Sequence, residues 1–173
     1  VLSKGGVNNS TASGGSSRTR LLDERREARE ALVVVAASTL SETVLSTADM
    51  SSLTSTANTL ATLVSAPEET TDTAAIEATT LAGRLVSAAF TSSAEISPGL
   101  AQGVLDTVSG AVDATENGDS PDPFFISAES ALQVAHNLTI AQVSARAPGE
   151  DAAFTTSRLI NTMARRDYAH TPS

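Results

Sequence analysis

The sequence predicts a mainly α fold: a bundle of about five Ala/Ser/Thr-rich helices with short loops, followed by one or two C-terminal strands. Three observations carry this. Apolar residues recur at three- and four-residue spacing over long stretches, as on one face of a helix. Capping residues, Pro and Gly punctuate those stretches where helices would start and stop. Ala (29), Ser (23) and Thr (22) make up 43% of the 173 residues, so the packing faces are built from small side chains.

Residues 1–19 read as a flexible linker, because SKGGVNNSTASGGSSRT carries almost no apolar content. A helical subdomain follows over 20–146. The first helix is expected over Arg20 to Ser46, where LLDERREAREAL supplies strong helix formers. Asp23, Glu24 and Glu27 sit near its positive N-terminal end. Leu32, Val35, Ala36, Thr39, Leu40, Thr43 and Val44 then mark its apolar face. The second helix runs from about Asp49 to Ala66, with Asp49 or Ser51 as N-cap. Its stripe is Met50, Leu53, Ala57, Leu60, Ala61 and Val64, and Pro67 stops it.

The third helix spans about Asp72 to Thr91 and faces inward with Ala74, Ala78, Leu81, Ala82, Leu85 and Ala89. The fourth opens at Ser97-Pro98, an N-cap followed by Pro at the first helical position, and reaches about Thr115. It carries Leu100, Val104, Leu105, Val108 and Val112, while Gly103 and Gly110 permit close helix approach. ENGDSPDP (116–123) reads as a loop. The fifth helix covers about Ser127 to Ala145, with Ala131, Leu132, Ala135, Leu138 and Gln142 towards the core. APGED (147–151) breaks it. The junction 147–173 then alternates in the manner of one or two strands, and a short helix fits it nearly as well.

Charge and composition exclude several function classes. Net charge is −9, and between Glu42 and Asp151 there are 15 acids against two bases, Arg84 and Arg146. Such a surface repels phosphate, so neither nucleic acid nor anionic lipid is expected as a partner. Bases gather at Arg18–Arg29 and Arg158–Arg166 and read as solvated faces in preference to contact patches. With no Cys, there is no disulfide scaffold, thiolate metal site or cysteine nucleophile. No apolar run approaches the ~20 residues that span a bilayer, so no direct membrane insertion is expected. The chain starts at Val1 without a signal-peptide pattern and reads as a piece of a longer polypeptide.

No catalytic, cofactor-binding or metal site is expected. His136 and His170 fall in different elements without a His-x-x-x-His pair. No Gly-x-Ser-x-Gly elbow, Ser-x-x-Lys pair or P-loop is present. Asp113, Glu116, Asn117, Gly118, Asp119 and Asp122 gather oxygen ligands near a Gly, but the EF-hand order is not met and a solvated acidic turn is the better reading. The candidate site residues are three glycosylation acceptors, Asn8, Asn9 and Asn137, each in an Asn-x-Ser/Thr sequon.

SSLTSTANTLATLVSAPEE (51–69), TTLAGRLVSAAF (79–90) and APGEDAAFTTSRLINTMARRD (147–167) resemble the helical part of the receptor-for-egg-jelly/GAIN region of polycystin-1-like proteins. The resemblance covers Leu21 to about Arg166. It implies a helical subdomain ahead of a β-rich one that ends in autoproteolysis. The Cys/Trp-rich cleavage motif is absent, and Asn137 interrupts what would be a His-Leu-Thr tripeptide at 136–139. The implied function is a non-catalytic extracellular structural and adhesion module at the plasma or ciliary membrane. Its partners would be neighbouring domains, a polycystin-2-type channel or surface glycoproteins. A helical segment of a secreted filament or cell-surface assembly is the alternative, suggested by the small-residue stripes.

Overall fold

The computed structural model describes residues 13–92, 96–116, 121–145, 151–155 and 160–164. Six α-helices lie among them: α1 (Ser13–Thr39), α2 (Glu42–Thr47), α3 (Met50–Leu63), α4 (Asp72–Thr91), α5 (Pro98–Glu116) and α6 (Pro121–Ala145). A 3-10 turn at Pro67–Glu69 links α3 to α4. The chain is thus mainly helical. After α6, β1 (Asp151–Thr155) and β2 (Ile160–Ala164) pair antiparallel, with Ala153 opposite Thr162.

Helix α5 occupies the middle of the bundle, packed on α3, α4 and α6. Its inner face holds Leu100, Val104, Leu105 and Val108, all fully buried. Leu53 and Leu60 of α3, Leu81 and Leu85 of α4, and Leu138 of α6 meet them in one cluster. Small residues set the distances. A Cβ on Gly103 would fall 3.0 Å from the Ala57 Cβ, and one on Gly110 would fall 2.7 Å from the Val64 carbonyl oxygen. At the same seam the buried Thr107 hydroxyl donates to Gly103 O (2.7 Å) within α5 and leans on Ala57 O (3.3 Å) of α3. The buried Gln142 amide donates to Ile96 O (3.0 Å), tying α6 to the connection ahead of α5.

The helix starts follow their caps. Asp49 accepts from Ser52 N (2.7 Å) and Thr71 from Ala74 N (3.2 Å). Ser97 accepts from Leu100 N (3.1 Å). Each satisfies an amide that the first helical turn leaves unpaired.

Four expectations need correction. Residues 13–19, read as linker, are the first turns of α1. Once LLDERREAREAL nucleates a helix, each added residue gains a backbone bond, and this outweighs the roughly 1 kcal/mol that each glycine costs. The single helix over Arg20–Ser46 is two, broken at Leu40–Ser41. Ser41 is extended (φ −63°, ψ 160°) and caps α2, which turns Leu45 into the core.

The face of α1 is also shifted. Leu32 (56% exposed), Val35 (56%) and Val44 (48%) point outward, and the fully buried residue is Val33. The inward line runs Leu22, Arg29, Val33, Ala36, Leu40, with the exposed Arg26 on the same phase, so two arginines stand where apolar residues would ordinarily reveal it.

Finally, α6 begins at Pro121 rather than Ser127, so half of the expected 116–123 loop is helical. Prolines 121 and 123 stand in the first turn, where their missing N–H groups cost nothing. Leu132 is 66% exposed, and Val134 fills the core position instead.

One buried polar atom lacks a partner among the described residues, the Ser127 hydroxyl. An unpaired buried hydroxyl retains its desolvation cost. Ser127→Ala is therefore expected to leave stability unchanged or raise it by about 1 kcal/mol. A thermal melt checks this, and a clear loss would show that the hydroxyl is satisfied.

Candidate functional site

Asn137 is the one candidate site residue that falls among the described residues. Asn8 and Asn9 lie outside them. It sits in the middle of α6 and is exposed, and its Oδ1 accepts from Gln133 Nε2 (3.0 Å), one turn earlier. The hydroxyl of Thr139, the third sequon residue, donates to Ala135 O (2.8 Å). The asparagine is accessible, while its sequon is held in ordinary helical geometry.

Asn137 borders a shallow groove of about 240 Å³ between α4 and α6. Val86, Ser87, Phe90, Thr91 and Ile140 line the rest. Phe90 is 57% exposed and Ile140 47%. An exposed aromatic and a branched aliphatic across one groove can receive an apolar side chain from another protein, with Asn137 and Ser87 as polar edges.

A second, larger groove of about 600 Å³ runs along the outer side of α3. It is lined by hydroxyls and an amide, among them Thr54, Asn58, Thr59, Thr62 and Ser97. Thr54 donates to Met50 O (2.7 Å), Thr59 to Ser55 O (2.9 Å) and Thr62 to Asn58 O (2.9 Å). Those three protons are committed to backbone carbonyls, which are too weakly basic to activate a nucleophile. The groove therefore offers these threonine oxygens as acceptors, beside the Asn58 amide and the Ser51 and Ser55 hydroxyls.

The remaining expected residues are dispersed. His136 is exposed on α6, and His170 lies outside the described residues. Asp113 and Glu116 end α5, Asp122 opens α6, and Asn117, Gly118 and Asp119 lie outside the described residues. Among the described residues no group of three or more His, Asp or Glu comes together that could hold a metal ion. No helix among them is long and apolar enough to cross a membrane.

The most organised polar cluster is one that sequence reasoning passed over as a solvated charged face. Arg29 donates to Leu63 O (2.6 Å) and Thr62 O (3.2 Å), carbonyls of the last turn of α3, the second of which also accepts from the Ser65 hydroxyl (2.9 Å). It also meets Glu69 Oε2 (3.0 Å), and Arg25 reaches Glu69 Oε1 (2.6 Å). Arg26 donates to Glu68 O (2.7 Å), and Thr71 donates to Glu30 (2.6 Å). A guanidinium at a helix C-terminus meets the negative end of its dipole. The available signal was phase: Arg26 and Arg29 fall in register with Leu22, Val33 and Leu40.

The hydrogen bond from Arg25, opposed by partial burial and reinforced by the charges of Arg25 and Arg29, holds the Glu69 carboxyl below its ordinary value near 4.5. A depressed carboxyl pKa contributes stability that is complete above the ordinary value and is lost as pH falls through the lowered one. The melting-temperature gap between the wild type and Glu69→Gln is accordingly expected to shrink between pH 7 and pH 3. A gap of constant size would contradict the assignment.

No family model matches this chain, and no curated protein or solved structure matches it.

Proposed function

We propose that this chain is a non-catalytic structural and adhesion module. It is the helical part of a polycystin-1-like ectodomain on the extracellular face of the plasma or ciliary membrane. It braces a downstream β-rich subdomain and offers the α4–α6 groove to a protein partner, a polycystin-2-type channel or a surface glycoprotein. The exposed Phe90–Ile140 pair carries this reading, since an aromatic anchor beside an aliphatic one is the usual centre of a protein interface. The succession of helices and then an antiparallel strand pair supports it too. The alternative of a helical filament rested on the small-residue stripes. Gly103 and Gly110 make their close approaches within the bundle, against α3.

Two measurements test the reading. The parent coding sequence beyond Ser173 is expected to encode a β-rich segment with a Cys/Trp cleavage motif and then hydrophobic spans of about 20 residues. A parent chain without membrane spans would end it. Phe90→Ser with Ile140→Ser is expected to weaken binding of the purified chain to cells bearing the parent protein by about tenfold or more, with the helical circular dichroism unchanged. Unchanged binding would remove the groove from the reading.

A further inference from the structure

We propose that the Leu40–Ser41 break is a two-setting hinge. In its second setting α1 joins α2 as one straight helix and docks on a second copy of this chain, in the place that copy's own α1 has left.

The sequence itself favours the straight form. Helical periodicity runs without interruption through 20–46, with neither Pro nor Gly between Leu21 and Ser46. The break is maintained by two competitors for backbone groups. In a continuous helix Leu40 O would accept from Val44 N, and Ala37 O from Ser41 N. Here the Ser41 hydroxyl takes Val44 N (3.4 Å) instead. Arg84 of α4 takes the two carbonyls, donating to Ala37 O (3.4 Å) and to Leu40 O. Exchanging these bonds for backbone bonds straightens the chain, and the groups that give up a partner are two side chains at the hinge, the Ser41 hydroxyl and the Arg84 guanidinium.

The attachment of α1 suits release as a unit. Val33 is its fully buried residue, set against Leu63, Val64, Ala74 and Ala78. The rest of its grip is the polar set around Arg29, Glu69, Glu30 and Thr71, with Ala36 and Ala37 partly buried against the main core. Every one of these contacts lies N-terminal to the hinge. All re-form when α1 of one copy seats on α3 and α4 of another, and only the hinge bonds differ. That is the condition under which exchange of an element makes a dimer at low cost. The straight helix 13–47 would be about 52 Å long, enough for α1 to clear its own bundle.

The test uses the full chain in sedimentation equilibrium, with circular dichroism to confirm folding. Ser41→Ala removes the cap and is expected to favour the straight hinge about fivefold. Two hinges per dimer make this about 25-fold in the association constant. Arg84→Met is expected to act in the same direction by a separate route. Ser41→Pro fits the observed φ and cannot sit inside a straight helix, so it is expected to abolish the dimer. Leu32→Glu with Val35→Glu, on the outer face of α1, is expected to leave the exchanged dimer intact. The proposal is overturned if Ser41→Ala and Arg84→Met both remain monomeric at several hundred micromolar. It is equally overturned if the dimer survives Ser41→Pro or is lost with Leu32→Glu/Val35→Glu, which would mark association through the outer face.

Discussion

Gly110→Val is expected to destabilise the fold by about 3 kcal/mol, lowering the melting temperature by about 6–12 °C. A Cβ at this position would stand 2.7 Å from the Val64 carbonyl oxygen and 3.3 Å from its carbonyl carbon. Those are backbone atoms, so no rotamer change relieves the contact, and α5 must move away from α3. Separation of these helices opens the seam that Thr107 and Ala57 share one turn earlier. The helix-propensity gain over glycine is under 1 kcal/mol and does not offset the clash. Gly83→Ala is the natural control. Its Cβ would meet only the end of the Val134 side chain, at 3.2 Å, and the propensity gain should hold stability within about 0.5 kcal/mol of wild type. Urea unfolding of the two variants separates the cases. Equal stabilities would mean that the α3–α5 approach is not as close as the structure has it.

Leu105→Ala is expected to cost about 3–4 kcal/mol. Leu105 is fully buried in the main cluster, which also holds leucines from α3, α4 and α6. Much of that cluster is alanine, and alanine has no longer rotamer with which to fill a void. The cavity should therefore persist, keeping the loss clear of the lower end of the range for leucine truncation. Leu132→Ala, the same change at a 66% exposed position of α6, should shift the midpoint little. Denaturant midpoints at constant slope decide this, and a small loss at Leu105 would mean that the helices close over the gap.

The two changes also mark which elements were legible in advance. The α4 stripe, from Ala74 to Ala89, was readable because large and small apolar residues keep strict phase through 20 residues. The N-caps Asp49 and Ser97 were readable because capping is a local bond between a side chain and an amide two or three residues on. Asn137 was readable as a sequon, and its exposure follows from Leu138 and Ala141 taking the inward positions.

The neighbouring groove was not readable. Phe90 ends α4 and Ile140 belongs to α6, and nothing in either helix alone shows that the two are left uncovered side by side. Leu132 misled for the converse reason: its spacing fits the inner face nearly as well as Val134 does, and only the position of α4 and α5 decides between them.

The sequence by itself determined that this chain is a helical bundle, that its helices contact through small residues, and where α3, α4 and α5 begin. Periodicity, capping and proline geometry act over a few residues and need no knowledge of the rest. Tertiary structure alone decided the course of α1. Its outward leucines and valines (Leu21, Leu32, Val34 and Val35) out-number its inward ones, so hydrophobicity favours the wrong face. The inner face is fixed by Arg29 finding the end of α3 and by Arg84 finding the end of α1, across 34 and 44 residues. A helix terminus attracts a guanidinium only once folding has brought the two together, and no local pattern records that meeting in advance.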